Sequence, residues 1–337
     1  MNILISNLKF YILLLSVLFL SSCEKTVEKP DYGKYGNGIL ISNEGTFNAG
    51  NGSISYYDPE LDTVFNEIFQ KENNRSLGDI VQSVNRIGDF AFIQVNNSNK
   101  IEVVDAKSFQ ELGVIQNLPL VRYAIGNENT AYASAWGNWG MDGKIYFIDT
   151  KTLSVTDSVA TGQGPEAMLL SNDKLFVANS GGWSFDNTIS VIDPVNKSLL
   201  ETIEVGANPT SFVLDKANLL WVLCSGSVIY DENWAPAGHH PSKLVQIDPV
   251  SLNIIKEVEL FENEHPSNLK INPEKNLLYI GAGMGFSGIY TLAIDEQTFN
   301  ATKIIEKSFY GFDVNPDNGN IFGYEALNYT DRGTLCR

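Results

Sequence analysis

Short segments in which hydrophobic and polar residues alternate recur along most of the chain, and polar turns separate them. The clearest unit has alternating segments at 166–170, 175–179, 188–193 and 199–205, with the turn Ser-Asn-Asp-Lys at 171–174. Runs of four to eight residues with a period of two, bounded by turn formers, are typical of β-strands. The pattern therefore predicts a unit of four short strands.

The third strand of that unit recurs through the chain and ends each time in aspartate. These aspartates are Asp58, Asp105, Asp149, Asp193, Asp248 and Asp295, spaced 47, 44, 44, 55 and 47 residues apart. A strand-rich repeat with a period in the forties is the signature of a propeller blade. We predict an all-β fold, a seven-bladed β-propeller of four-stranded blades. Four of the six precede proline or threonine, so we expect these aspartates to form turns instead of catalysing a reaction.

The repeat count leaves both ends of the propeller domain, 39–337, short of a full blade. The first blade begins at Ile39 with what matches a second strand, and the seventh begins at Phe309 and reaches Arg337 within its third strand. By the period, roughly 20 to 30 residues that would finish the last blade and close the first are absent. We expect the last blade and the closure of the ring to be truncated. Strand edges of the first and last blades would then be exposed.

The N-terminus has the features of an export signal. Lys9 precedes an apolar run at 10–20, which is too short to span a bilayer, and Leu-Ser-Ser-Cys ends at Cys23. This tetrapeptide resembles a bacterial lipobox, which implies a lipoprotein signal peptide at 1–22 and lipidation of Cys23. Residues 23–38 mix charges, proline and glycine without an apolar period, so we predict a flexible tether. The expected location is the outer membrane, lipid-anchored and cell-surface exposed.

Charge and cysteine content narrow the classes of function. The net charge is −17, and removal of Lys9 with the signal makes it −18. An acidic surface repels nucleic acid, so we exclude nucleic-acid binding. Cys224 lies in an apolar run and is expected to be buried and inert. No framework of paired cysteines is present to stabilise the fold.

Two segments carry a family resemblance. Lys-Leu-Phe-Val-Ala-Asn at 174–179, followed by Thr-Ile-Ser-Val-Ile-Asp-Pro at 188–194, resembles the YVTN repeat of YncE-like seven-bladed propellers. The stretch 41–59, on a lipid-anchored propeller, resembles the BtuG type of surface lipoprotein. That resemblance implies cobalamin or a related corrinoid as the bound ligand and a TonB-dependent outer-membrane transporter of the BtuB type as partner. Fold resemblance by itself does not establish function.

Blade topology places the loops between second and third strands on one rim, and these loops combine aromatic residues with glycine and asparagine. Aromatic platforms edged by amides suit a large, flat, polar-edged ligand, although the same aromatics could instead pack between blades. The rim candidates for ligand binding are Phe47, Asn48, Asn97, Trp136, Trp139, Trp183, Phe185, Trp234, His239, His240, Phe286 and Tyr329. Trp221 lies in a strand and is expected in the core.

The starts of the first strands are expected at the channel mouth, where Arg122 and Tyr123 complete the candidate ligand-binding set. Residues Glu166, Thr210 and 267–268 lie at corresponding positions of other blades. Arg122 can either hold a ligand carboxylate or phosphate by two hydrogen bonds or pair with Glu166 in the neighbouring blade. The sequence leaves both alternatives open.

Motifs for catalysis are not found, so no catalytic or metal-binding residues and no cofactor are predicted. His239, His240 and His265 are expected on the same rim, but adjacent histidines point apart in an extended chain, which disfavours a metal site. Two classes of function stay open: a ligand-capture protein, and a propeller enzyme (lactonase-like or quinone-dependent dehydrogenase-like) or protein-interaction platform. An enzyme should show titratable groups with perturbed pKa values at the channel mouth. A capture protein should show an aromatic rim without such a cluster.

Overall fold

The computed structural model describes residues 32–283, 285–295, 300–326 and 333–337. The chain divides into two units, 1–33 and 34–337, and only the second is treated below. The predicted signal peptide, Cys23, most of the predicted tether and Tyr329 lie outside the described residues and stay predictions. No helix in the described ranges is long and apolar enough to cross a membrane.

Seven antiparallel sheets make up the propeller, which confirms the predicted all-β fold with seven blades. The first three sheets, each read from the inner strand outward, are β1 (Ile39–Asn43), β2 (Ser53–Asp58) and β3 (Thr63–Phe65); β4 (Val81–Ile87), β5 (Phe90–Val95), β6 (Lys100–Asp105) and β7 (Glu111–Gln116); β8 (Val121–Gly126), β9 (Thr130–Ala135), β10 (Lys144–Asp149) and β11 (Ser154–Ala160).

The remaining sheets follow the same order from the inner strand outward. They are β12 (Pro165–Ser171), β13 (Lys174–Asn179), β14 (Thr188–Asp193) and β15 (Ser198–Glu204); β16 (Pro209–Leu214), β17 (Leu220–Cys224), β20 (Ser242–Ile247) and β21 (Ile254–Phe261); β22 (Asn268–Ile271), β23 (Leu277–Gly281), β24 (Ile289–Ala293) and β25 (Thr302–Ile305); β26 (Gly311–Val314), β27 (Ile321–Glu325) and β28 (Thr334–Cys336). A separate hairpin, β18 (Ser227–Tyr230) with β19 (Pro236–His240), extends from the loop between β17 and β20.

The core lies between neighbouring blades, where the middle strands of each sheet are covered on both faces. The side chains of Phe92, Phe147, Phe176 and Trp221 are at most 1% exposed. Strands covered on both faces read as continuous hydrophobic runs, whereas the outer strand β15 is almost wholly exposed. Trp221 and Cys224 are both buried as expected, and burial raises the pKa of the Cys224 thiol to about 12.

The repeated aspartates are turn residues. In Asp58, Asp105, Asp149, Asp193 and Asp248, the side-chain oxygen Oδ1 accepts backbone N–H groups two and three residues further on. Backbone hydrogen bonds favour the charged carboxylate, and they lower the pKa of Asp149, Asp193 and Asp248. The prediction that these aspartates shape turns is confirmed.

The first and last sheets contain three strands each among the described residues, as the repeat count predicted. The β1 strand, which matches a second strand, faces the channel and packs beside β4. Across the junction, the Tyr310 hydroxyl donates to the Glu44 carboxylate at 3.1 Å, and the rings of Tyr57 and Phe322 lie 5.9 Å apart. In the part of the chain that the structure describes, side chains and not a shared strand connect the first and last blades.

Within the segment predicted as a tether, 23–38, Lys34 and Tyr35 contact the propeller. Tyr35 is 3% exposed and packs edge-on against Tyr56 at 5.3 Å and Phe109 at 5.7 Å. Its backbone N–H donates to the carbonyl of Lys107. A single buried aromatic among glycines produces no hydrophobic period, which explains why the sequence pattern did not reveal this contact.

One helix was not expected: α1 (Ile68–Asn73) lies between β3 and β4, with Phe69 buried. Immediately after it, the Arg75 guanidinium stacks on Phe69 at 4.8 Å and forms two hydrogen bonds, of 3.0 and 2.7 Å, with the fully buried Glu102. The helix and this ion pair fix the segment that joins the first two blades.

Candidate functional site

A central channel of about 850 Å³ runs between the inner strands. The predicted channel-mouth residues all line it, so the structure brings that set together as expected: Arg122, Tyr123, Glu166, Thr210, Ser267 and Asn268. Glu44 and Tyr310 line the same cavity and were not identified from the sequence, because the first and last blades depart from the repeat.

Arg122 pairs with Glu166 in the neighbouring blade, which decides between the two alternatives. Its Nε donates to Glu166 Oε1 at 3.0 Å, its Nη1 donates to the Gln82 side-chain carbonyl, and its guanidinium lies 4.1 Å from the Trp136 ring centre. A bulge in β8 places Arg122 and Tyr123 opposite a single residue of β9. Such bulges change the direction of side chains, and here the bulge lies where Arg122 enters the mouth.

Several groups that line the channel have perturbed pKa values, Glu166 and Tyr123 among them. Burial raises the pKa of the Glu166 carboxyl, and Arg122 opposes that shift. Burial also raises the pKa of Tyr123 to about 12, so its phenol is protonated at neutral pH. The Trp136 indole N–H approaches Glu166 but does not form a hydrogen bond of normal geometry. The mouth therefore contains titratable groups, although the carboxylate among them is already paired.

Three indoles form a cluster at the junction of the third and fourth blades. The rings of Trp136 and Trp183 meet edge to face at 6.3 Å, and those of Trp139 and Trp183 lie 6.5 Å apart. Trp183 is 75% exposed and Trp139 is 59% exposed, whereas Trp136 is half-buried over Arg122. Trp136 thus connects the charged mouth to an exposed tryptophan surface.

Glycines allow the loops that carry these indoles to approach closely. Gly164 adopts φ of +57°, and a Cβ atom there would lie 2.0 Å from the backbone nitrogen of Gly182. The Gly164 N–H donates to the carbonyl of Gly140 at 2.9 Å. No other residue type fits this backbone conformation and separation, so the sequence positions of the glycines determine where the tryptophans meet.

The aromatic surface continues onto the fifth blade. Phe185 lies 5.3 Å from the imidazole of His240, and the hairpin β18–β19 carries Tyr230 and Trp234 with ring centres 6.3 Å apart. Trp234 is 82% exposed. We call Trp139, Trp183, Phe185, Tyr230 and Trp234 the rim cluster. Tyr230 is not among the ligand-binding candidates named from the sequence, although it lies in the same rim loop as Trp234.

The remaining rim candidates have different surroundings. Phe47 is exposed on the first blade. Asn97 donates to the side-chain oxygen of Asn48 at 3.3 Å and to Asp79, so these polar groups bind one another. Phe286 is only 3% exposed and packs against Phe261 at 5.3 Å, because its loop folds inward between the fifth and sixth blades. The expectation of Phe286 on the exposed rim is therefore corrected.

Two of the three histidines meet. His239 Nδ1 and His265 Nε2 are 2.9 Å apart, whereas His240 turns to Phe185. The opposite directions of His239 and His240 follow from the alternation along β19. Among the described ranges, no group of three histidine, cysteine or carboxylate side chains is placed to hold a metal ion.

These features define a seven-bladed propeller with a charged channel mouth and an aromatic rim. No curated protein matches the sequence. The chain belongs to the family described as a domain of unknown function, DUF5074, whose model matches residues 37–330.

Solved structures share the fold at low sequence identity. Hydrazine synthase of Kuenenia stuttgartiensis matches with a TM-score of 0.68 and 18% identity over 94% of this chain and 98% of that chain. A proposed 6-phosphogluconolactonase of Bacteroides fragilis matches with a TM-score of 0.62 and 11% identity over 91% of this chain and 95% of that chain. A proposed 6-phosphogluconolactonase of Bacteroides uniformis matches with a TM-score of 0.61 and 12% identity over 89% of this chain and 95% of that chain. At such identities these likenesses show the fold alone.

Proposed function

We propose that this propeller is a non-enzymatic ligand-capture protein of the cell envelope, and that its rim cluster binds a large, flat ligand. The carrying observation is the concentration of exposed aromatics on one rim, with Trp139, Trp183 and Trp234 between 59% and 82% exposed. Exposed apolar patches of this kind mark interaction sites. A corrinoid, flat and edged by amides, is the ligand that fits this chemistry and the family resemblance best.

The envelope location rests on the N-terminal sequence. Lipidation of Cys23 would anchor the propeller to the outer membrane, and capture there would precede transfer to a TonB-dependent transporter. Incorporation of labelled palmitate into the protein, lost in Cys23→Ser, tests the anchor. Equal labelling of the variant would remove the lipoprotein part of the proposal and leave the ligand site untouched.

Calorimetric titration with cyanocobalamin tests the ligand. We expect saturable binding at micromolar ligand or tighter, and a weakening of at least about tenfold in Trp139→Ala/Trp183→Ala, since each stacked aromatic contributes about 0.5–1.5 kcal/mol beyond area burial. The matched control is Val195→Ala, because Val195 is 81% exposed but lies in the β14–β15 turn at the opposite rim. Absence of heat with the unmodified protein would refute the corrinoid assignment.

One observation favours an enzymatic alternative. The pKa of Glu166 is raised, and Glu166 lines the channel of a fold that proposed lactonases share. Two features weigh against it. Glu166 is already paired with Arg122. The charged residues of the channel are Glu44, Glu166 and Asp313 against Arg122 and Lys270, an acidic balance that repels a phosphorylated substrate. We expect no hydrolysis of 6-phosphogluconolactone above the spontaneous rate.

A further inference from the structure

The hairpin β18–β19 carries two members of the rim cluster, Tyr230 and Trp234, and among the described residues its two strands pair only with each other. Its strands form a two-stranded sheet separate from the fifth blade. At its base, the rings of His239 and His265 lie nearly parallel, at 22°, with centres 5.2 Å apart. His265 belongs to the linker into the sixth blade and lines the channel. The contact between the two histidines therefore joins the hairpin to the channel mouth.

The hydrogen-bond partners determine where the protons lie. His265 Nδ1 is 2.9 Å from the Ser225 carbonyl oxygen, which only accepts, so this nitrogen carries a proton. The Nε2 atom of a neutral His265 is then an acceptor, and the Nδ1–H of His239 donates to it at 2.9 Å. This arrangement leaves the Nε2 atom of His239 as the free basic nitrogen of the pair.

The two nitrogens that accept protons have opposite effects on the contact. A first proton adds to Nε2 of His239 and leaves the hydrogen bond in place, now with a charged donor and therefore stronger. A second proton must add to Nε2 of His265, the acceptor itself. Two N–H groups and two positive charges would then face each other, which breaks the bond. The pair titrates in two coupled steps, and only the lower one opens the contact.

We propose that His239 and His265 form a proton-sensitive latch, closed at neutral pH, that holds the Trp234 hairpin against the channel mouth and releases it on double protonation. The expected effect of latch opening on ligand binding rests on the proposed function, whereas the latch itself does not. The charged and titratable groups on the surrounding elements are His240, Asp231 and Glu232 on the hairpin, Glu262 and Glu264 on the linker, and Arg122, Glu166 and Glu44 at the mouth. Within the described ranges, neither imidazole of the pair forms an ion pair with them.

Because the chain has only three histidines, NMR of histidine-labelled protein between pH 8 and pH 4.5 resolves each imidazole. His265 should carry its proton at Nδ1 when neutral, and it should become doubly protonated only after His239 has taken up its own second proton. Protonation of His265 at the same pH as His239, or a neutral His265 with its proton on Nε2, would overturn the proposal.

Hydrogen exchange of residues 227–240, corrected for the intrinsic pH dependence, reports the hairpin without any ligand. We expect about tenfold faster exchange below the lower step, fast exchange at every pH in His265→Ala or His239→Ala, and unchanged behaviour in the control Asn233→Ser, which alters an exposed side chain of the hairpin turn. Exchange that does not follow the lower step would also overturn the latch. Cyanocobalamin affinity should fall over the same pH range in which the latch opens. If the latch opens and the affinity does not change, the result counts against the proposed ligand site and not against the latch.

Discussion

Removal of the Arg122 side-chain charge tests whether the channel mouth is a closed structural pair or free catalytic machinery. Arg122 and Glu166 are 16% and 9% exposed in their side chains and 2.9 Å apart. Loss of one partner of a buried ion pair leaves an uncompensated charge and costs about 3–5 kcal/mol. We therefore expect Arg122→Met to lower the free energy of unfolding by about that amount at pH 8, measured by urea denaturation.

The loss should depend on pH with a defined sign. Without Arg122, the pKa of Glu166 rises further above its unfolded value of about 4.3. A carboxyl group with a raised pKa binds its proton more tightly in the folded state, so its destabilising effect is small below the unfolded pKa and grows as pH rises through the folded one. The deficit of Arg122→Met should accordingly be smaller at pH 5 than at pH 8.

Two control variants make this experiment decisive. Arg122→Met/Glu166→Gln removes both charges and should recover most of the loss. Lys197→Met breaks the exposed 3.5 Å pair with Asp157 and should change stability by no more than about 1 kcal/mol. A loss below about 1 kcal/mol in Arg122→Met at pH 8, or no recovery in the double variant, would refute the closed pair and leave Glu166 available for chemistry.

Three further substitutions test the fold and the rim. Tyr35→Ala should cost about 3–5 kcal/mol in urea denaturation, because a ring only 3% exposed is lost; a tether residue would show no change. Trp221→Phe should cost about 2–3 kcal/mol, since it removes the 2.9 Å hydrogen bond to the buried Asp215 and leaves a void, and an unchanged midpoint would contradict that packing. Trp139→Gly should raise the free energy of unfolding by up to about 1 kcal/mol, because Trp139 has a left-handed backbone conformation. The same variant should bind cyanocobalamin more weakly. A lower free energy of unfolding would show that the indole supports the fold.

The propeller was predictable because its signals are local. In the fourth blade, the segments expected at 166–170 and 188–193 correspond to the observed strands Pro165–Ser171 and Thr188–Asp193. Alternation of side chains and aspartate turns act over a few residues, so a repeated pattern reveals them. The same reasoning identified the rim, because loop position within a blade follows from strand order.

The pairings at the site were not predictable, since they join residues far apart in the chain. Arg122 and Glu166 are 44 residues apart, and sequence alone offered a ligand or a neighbouring blade as partner. The junction between Glu44 and Tyr310 spans 266 residues. Phe286 is buried, whereas Trp183 is exposed. The difference lies in the direction of the loop, which depends on the space between blades and cannot be read from the local composition.

Trp139 and Trp234 combine backbone strain with high exposure. Trp139 and Trp234 adopt φ of 54° and 62°, a left-handed conformation that costs about 1–2 kcal/mol in a residue other than glycine. Phe109, at φ of 62°, is fully buried, so packing offsets its strain. Trp139 and Trp234 are 59% and 82% exposed, and the fold gains little from either indole. Glycine would relieve the strain at both positions, and the proposed ligand contact would account for large aromatics there.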